Sequence, residues 1–166
     1  MRKSAIIMGL LLAAGMIIPA GTHAAPRNGF GAGVVIGEPT GLTFKKWISD
    51  TTAWDAGIAW SFSENDSLHL HFDYLAHWFG RVSGLETRGR LPVYIGLGVR
   101  VKLEEDNNGR GKNNDDTLIG VRVPFGITYL LADAPIDLFA EIVPVLDVVP
   151  DTDFDLNAAI GARFYF

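Results

Sequence analysis

Apolar and polar residues alternate along most of the chain with a period of two. The clearest segment is "LPVYIGLGVRVKL" at 91–103, where every odd position from Val93 to Leu103 is apolar. The even positions hold Tyr94, Gly96, Gly98, Arg100 and Lys102. Because successive side chains of a strand point to opposite faces, this pattern predicts a β-strand with one apolar and one polar face.

Eight segments of this kind can be drawn, and no helical period follows the first 24 residues. They lie at about 29–37, 40–48, 51–63, 67–78, 91–103, 117–131, 136–148 and 154–166. Short turn-forming runs such as "GEPTG", "SEND" and "PDTD" separate most of them, and the long connections fall at 79–90 and 104–116. The pattern therefore predicts an all-β chain of consecutive hairpins.

Three prolines fall inside the predicted strands, at Pro92, Pro124 and Pro144. Proline has no backbone N–H and cannot donate to a β-ladder. We therefore expect a bulge or a strand end at each of them.

The turn positions also predict which residues lie opposite one another. A loop at 104–116 that pairs Leu103 with Thr117 sets Arg100 opposite Gly120 and Gly98 opposite Arg122. The same reasoning around "SEND" gives three pairs: Ser61 with His69, Ala59 with His71, and Gly57 with Asp73. Most of these pairs set a small residue beside a long polar one, as a narrow interior requires.

The polar faces combine glycine with charged residues, and this decides which face is inside. Glycine exposed on a soluble sheet weakens a strand, whereas in a narrow closed barrel it leaves room for a long side chain. We expect a lumen charge network of Asp55, Asp73, Arg100, Arg122, Glu141, Asp155 and Arg163. The apolar faces carry aromatic residues mainly near segment ends, where a membrane barrel has its interfacial girdles.

These faces together predict the fold. Lipid outside and polar side chains inside satisfy both faces, and ring closure satisfies the backbone. The predicted fold is an eight-stranded antiparallel up-and-down transmembrane β-barrel. A water-soluble β-barrel is the alternative, because of the three prolines.

Composition adds a leader and removes several function classes. Residues 1–24, with "MRK", an apolar run and "THA", are typical of a cleaved signal peptide, an uncleaved anchor helix being the alternative. Residues 25–166 then form the barrel, with 12 basic and 19 acidic residues once Arg2 and Lys3 are removed. This acidic balance disfavours nucleic acid as a partner. The chain has no cysteine, which excludes a disulfide framework.

The last strand ends "AAIGARFYF", with Ile160, Phe164 and Phe166 on its apolar face. This ending resembles the C-terminal signature that the barrel-assembly machinery of Gram-negative bacteria recognises. Residues 25–166 as a whole are similar to the small eight-stranded outer-membrane barrels of the OmpX type and to the OmpA transmembrane domain. Stretches such as "IGEPTGLTFKKW" and "LADAPIDLFAEIVPVLD" look like those of uncharacterised small outer-membrane barrels.

The resemblance implies a location and partners. It implies a monomer in the outer membrane of a Gram-negative bacterium, in contact with outer-membrane lipid, with both termini in the periplasm. Periplasmic chaperones and the barrel-assembly machinery would act on it during biogenesis. It implies no cofactor and supplies no catalytic residue.

The functional expectation is a non-enzymatic structural or surface-interaction barrel whose lumen is plugged by charged side chains. Two alternatives remain. One is a narrow pore, although an eight-stranded barrel is just wide enough for side chains to fill. The other is a lipid-modifying enzyme, a lipid A deacylase or acyltransferase that would use Ser61 with His69.

A metal site is the remaining candidate chemistry. In "SLHLHFDYLAHW", His69, His71 and Asp73 share one face of a strand, and residues two apart lie about 6.5 Å apart, a spacing that suits chelation of Zn²⁺. A structural site usually has four ligands, and no cysteine is available to complete it. We therefore expect a polar ladder rather than a metal site.

Overall fold

The computed structural model describes residues 29–61, 67–80, 89–104 and 116–166. They form ten β-segments: β1 Phe30–Glu38, β2 Thr40–Trp47, β3 Thr52–Ser61, β4 Ser67–Trp78, β5 Gly89–Arg90, β6 Val93–Glu104, β7 Asp116–Arg122, β8 Phe125–Leu131, β9 Ile136–Val149 and β10 Asp153–Tyr165. Within these ranges, no helix has the length and apolar character needed to cross a membrane.

The segments close into a ring of eight antiparallel strands. β5 and β6 are two halves of the fifth strand, and β7 and β8 are two halves of the sixth. Each strand pairs with the next along the chain, and β10 pairs with β1. The predicted eight-stranded up-and-down β-barrel is confirmed, and the predicted segments match the observed strands to within two residues at nearly every end.

Pro92 and Pro124 separate the halves of the fifth and sixth strands, as expected of strand ends. The pairing continues in register across both breaks. The N–H of Gly96 donates to the Pro124 carbonyl at 2.8 Å, and the N–H of Thr128 donates to the Pro92 carbonyl at 2.9 Å. The prolines therefore interrupt the strand geometry without opening the wall.

The expectation for Pro144 is wrong, because this residue lies inside β9. Its carbonyl accepts a hydrogen bond from the N–H of Val123 at 3.0 Å, so only the donor side of the residue is lost to the ladder. The irregular step between β7 and β9 falls elsewhere, between Ile119 and Gly120.

The strands are strongly staggered around the ring. A path of directly paired residues starts at Phe164 and passes through Ala32, Phe44, Ala56, Phe72, Val99, Val121 and Leu146 to Phe154. It returns to β10 at a position ten residues from its start. This offset is the shear number of the barrel, which is ten for eight strands. Such a barrel has tilted strands and an interior that side chains can fill.

The two faces of the wall are the reverse of those in a soluble protein. Among the described residues, 25 large apolar side chains are exposed while 15 polar or charged residues are buried. Neighbours along β4 show the contrast, with Phe72 48% exposed and Asp73 2% exposed. The sequence pattern had assigned these faces correctly.

The two ends of the barrel differ in chemistry. At the terminal end, where β1 begins and β10 ends, buried apolar side chains form a cluster that consists of Trp47, Ala53, Leu130 and Tyr165, with Phe79 packed against it. The opposite, loop end carries the connections 62–66 and 105–115, which lie outside the described residues. Above the apolar cluster, the lumen is polar.

Candidate functional site

Arg100 organises the lumen near the loop end. Its side chain is 2% exposed and reaches across the barrel from β6 to β9 and β10. It forms ion pairs with Asp147 and, at 2.7 Å, with Asp155, and it donates a hydrogen bond to Asn157 at 3.3 Å. Such charge-assisted contacts fix the guanidinium plane across the barrel axis.

Arg122 occupies the middle of the lumen. Its Nε lies 3.1 Å from Asp73 Oδ1, and one terminal nitrogen lies 3.7 Å from Glu141 Oε1. The hydroxyl of Tyr94 donates to the other oxygen of Glu141 at 2.8 Å. These contacts connect four consecutive strands of the ring, through residues on β4, β6, β7 and β9.

Arg163 holds the side of the lumen nearer the terminal end. It contacts Asp55 at 2.7 Å and Asp137 at 3.4 Å, and its Nε donates to the Thr43 hydroxyl at 3.0 Å. The guanidinium carbon lies 3.8 Å from the ring centre of Phe139, a cation–π contact. All three lumen arginines thus contact two carboxylates each.

Lys45 is buried without a carboxylate partner among the described residues. Its Nζ lies 2.8 Å from His77 Nε2, and His77 Nδ1 lies 3.3 Å from the Thr51 carbonyl. His77 therefore donates a hydrogen bond through Nδ1 to the Thr51 carbonyl and accepts one at Nε2 from the Lys45 ammonium. The ammonium also lies over the rings of Trp47 and Tyr94, 4.6 Å and 5.4 Å from their centres.

Glycines on the inner face make space for this network. A Cβ added at Gly98 would overlap the Asp73 carboxylate, and one at Gly120 would overlap that of Asp147. One at Gly57 would overlap the His71 ring. Glycine on the inner face is therefore required for packing, as the sequence suggested, but the side chains it makes room for are those of Asp73, Asp147 and His71.

The structure brings together all seven residues of the expected charge network, which are Asp55, Asp73, Arg100, Arg122, Glu141, Asp155 and Arg163. Sequence reasoning missed Lys45, Asp137 and Asp147. The two aspartates could have been found, because they share the parity of Glu141 on β9. Lys45 stands beside Lys46, and alternation alone does not settle which of two adjacent lysines points inward.

The expected register of the β3–β4 hairpin is wrong by two residues. Ser61 pairs with Ser67, Ala59 with His69, and Gly57 with His71. β4 already begins at Ser67, so the connection spans five residues, 62–66, where the expected pairing required seven. The other register inference holds, with Leu103 opposite Thr117 and Arg100 opposite Gly120.

This correction changes the candidate catalytic pair. Ala59 is the residue directly opposite His69, in place of Ser61, and the hydroxyl 3.0 Å from His69 Nε2 is that of Ser67. His69 Nδ1 is buried and has no hydrogen-bond partner among the described residues. Within the residues that the structure describes, which do not include the neighbouring 62–66 connection, the pair has no acidic third member on the far side of its imidazole.

The set of candidate metal ligands also differs from the expected one. His69 is not part of the group that contains His71 and Asp73. Asp55, which lies directly opposite Asp73, takes its place. One ligand atom from each of Asp55, His71 and Asp73 lies within 4.8 Å of the others.

The C-terminal residues that resemble an assembly signal line the outer face. Ile160 is 61% exposed and Phe166 is 70% exposed, while Phe164 is half-buried on the same face. The N–H of Phe166 donates to the Phe30 carbonyl at 3.0 Å, beside an edge contact of their rings. The predicted signal peptide and most of the 104–116 loop lie outside the described residues.

One solved structure matches the chain over most of its length. It is the crystal structure of the N-terminal β-barrel domain of Pseudomonas aeruginosa OprF, which aligns with a TM-score of 0.64 at 13% sequence identity. The match covers 83% of this chain and 96% of that domain. Neither the scan against protein-family models nor the search of curated proteins gave a match. The likeness supports the barrel fold.

Proposed function

We propose that this chain is a small bacterial outer-membrane β-barrel with a structural or surface-interaction role and no enzymatic activity. The observation that carries the proposal is the reversal of the two faces. Exposed apolar side chains ring the outside, and charged residues fill the inside. Soluble monomers rarely expose apolar patches beyond a few hundred Å², whereas lipid satisfies such a surface and a closed ring leaves no backbone edge in it.

Two features support outer-membrane over inner-membrane residence. Bacterial outer-membrane proteins cross the bilayer as even-numbered antiparallel barrels with an apolar outer band, and this ring has eight strands. The likeness to the OprF barrel domain points the same way. The partners of the folded barrel would be membrane lipids, and the assembly machinery and periplasmic chaperones would act during biogenesis.

The lumen contacts favour a plugged barrel over a pore. Arg100, Arg122 and Arg163 each contact carboxylates on two other strands at three heights of the lumen, and buried apolar side chains pack at the terminal end below them. An eight-stranded barrel leaves little room beside such side chains. In planar bilayers we expect no conductance steps above those of a lipid-only membrane, and regular single-channel steps would support the pore instead.

The membrane proposal has a direct biochemical test. The full chain, residues 1–166, is expressed in a Gram-negative host, and outer and inner membranes are separated by density. We expect it in the outer-membrane fraction, with different mobility on SDS gels before and after boiling. Recovery as a soluble monomer without detergent would contradict the proposal.

A lipid-modifying enzyme is the second candidate, supported by the 3.0 Å contact between Ser67 and His69. Both residues are buried on the lumen side, where a lipid entering from the bilayer does not reach them. We therefore expect the mass spectrum of lipid A to be the same in cells with and without the protein. A changed acyl pattern that disappears with His69→Ala and with Ser67→Ala would establish the enzyme.

A further inference from the structure

The middle of the lumen holds an unusual arrangement of two carboxylates. Asp55 on β3 and Asp73 on β4 are directly opposite each other, and both point inward and are buried. Like charges that face each other across a strand pair are destabilising, and burial away from water makes the repulsion stronger. The pair therefore needs compensation by positive charge.

The arginines provide this compensation only in part. Arg163 contacts Asp55 through Oδ2, and Arg122 contacts Asp73 through Oδ1. The same two guanidinium groups also contact Asp137 and Glu141, so they serve four carboxylates. With Lys45 added, three positive groups face four carboxylates. Counted as fully ionised, this set of side chains has a net charge of −1.

His71 adds an imidazole to this pair of carboxylates. Its side chain is 8% exposed, and its Nδ1 has no hydrogen-bond partner in the part of the chain that the structure describes. Its Nε2 lies 3.7 Å from Asp55 Oδ1, beyond hydrogen-bond distance. A buried imidazole whose Nε2 faces Asp55 and whose Nδ1 is unpartnered supplies, together with Asp55 and Asp73, the donor set that divalent transition metals prefer.

The geometry allows one ion to contact all three residues. Each carboxylate has one oxygen that does not contact its arginine, and ligand atoms from Asp55, His71 and Asp73 lie within 4.8 Å of one another. Ligand atoms of a tetrahedral zinc are about 3.4 Å apart, a spacing that small rotations of these side chains reach. The His71 ring itself occupies the space that a side chain at Gly57 would fill.

We propose that Asp55, His71 and Asp73 form a lumen site for a divalent transition-metal ion such as Zn²⁺, with water completing its coordination. The ion would enter as the barrel closes and would bridge β3 and β4 at mid-height. The inference goes beyond the structural role proposed above. It requires the closed barrel and does not depend on the membrane in which the barrel resides.

Zinc stoichiometry tests this site. The barrel is refolded in detergent with equimolar ZnCl₂ or with EDTA, passed over a desalting column, and analysed for zinc by mass spectrometry. We expect about one zinc per folded barrel and a higher unfolding temperature than in EDTA. With His71→Ala, we expect at least tenfold weaker binding and no zinc-dependent stabilisation.

His69→Ala is the matched control, because His69 lies on the same strand and face but outside the cluster. It should bind zinc as the parent chain does. Folding of each variant is checked by the gel shift on boiling, and His71→Asn replaces His71→Ala if the latter fails to fold. A folded parent barrel without zinc, or equal binding by the His71 variant, would overturn the site while leaving the proposed function intact. Equal loss in the His69 variant would overturn it too.

Discussion

At the scale of single residues, buried arginines are the feature that distinguishes this lumen. Moving a charge out of water costs several kcal/mol unless partners replace the lost hydration. Arg163 is 2% exposed and replaces water with two carboxylates, a hydroxyl and an aromatic face. If Arg163 were removed, Asp55 and Asp137 would stay buried and would lose the guanidinium that compensates their negative charge.

We therefore expect Arg163→Met to destabilise the barrel by about 3–5 kcal/mol, the usual cost of removing one partner from a buried ion pair. The measurement is urea unfolding in lipid vesicles. Lys46→Met is the control, because Lys46 is the exposed neighbour of the lumen lysine. A loss below about 1 kcal/mol for Arg163→Met would show that the network does not stabilise the barrel.

The inward residues could be predicted from the sequence wherever alternation is clear. Every member of the expected charge network faces the lumen, because a strand fixes the side of each residue by its parity alone. Their partners could not be predicted. Which carboxylate each arginine reaches depends on the stagger around the ring, as the contact of Arg100 with Asp155 on β10 illustrates. The stagger depends on the register of all eight strands together, so it cannot be derived from the sequence of one strand.

At the scale of elements, the β3–β4 hairpin shows which register errors matter. A shift of one residue would exchange the inner and outer faces, whereas a shift of two preserves them. The expected pairing was wrong by two residues. Every residue of the hairpin therefore lies on the face that was expected, and only its partner on the opposite strand is different. The candidate site changed with them, since Asp55 took the place of His69 beside His71 and Asp73.

Disulfide trapping tests this register on the outer face. The chain has no cysteine, so an engineered pair reacts alone. Ile58 and Leu70 are directly opposite, and such pairs lie within about 5.5 Å at Cα, a spacing that suits a disulfide. We expect Ile58→Cys with Leu70→Cys to crosslink in the folded barrel, seen as a mobility change on non-reducing gels.

The comparison pair is Ile58→Cys with Phe72→Cys, which corresponds to the register that the turn sequence suggested. These residues are diagonal neighbours in the structure, about 7–8 Å apart by sheet geometry, and should not crosslink. Preferential crosslinking of this second pair would contradict the observed hairpin.

At the scale of the whole molecule, closure of the strands into a ring stabilises the fold in place of disulfides and an apolar core. Without disulfides and with a polar interior, the barrel depends on its complete ring of hydrogen bonds and, under the proposed function, on an apolar solvent outside. The fold class followed from the sequence because eight alternating segments with short turns leave few other arrangements. The shear and the apolar cluster at the terminal end did not, because both depend on how distant strands align.

The cost of placing an arginine on the outer face should show whether lipid or water surrounds the barrel. Val99 lies on the outer face in the middle of β6 and is 53% exposed. If lipid surrounds the barrel, Val99→Arg should destabilise it in vesicles by about 2–4 kcal/mol. Val149→Arg, at the loop end of β9, should cost about 0–1 kcal/mol. Equal and negligible costs at both positions would indicate water around the wall.

The most direct test of the reversed faces is the quenching of single tryptophans by brominated lipids. Trp54 and Trp78 point outward and are 40% and 43% exposed, whereas Trp47 lies in the lumen at 6%. Variants that each keep one tryptophan, with the other three replaced by phenylalanine, are refolded in brominated and ordinary vesicles. We predict strong quenching of Trp54 and Trp78 and much weaker quenching of Trp47. Equal quenching of all three, or none, would contradict a barrel with lipid outside and a polar lumen within.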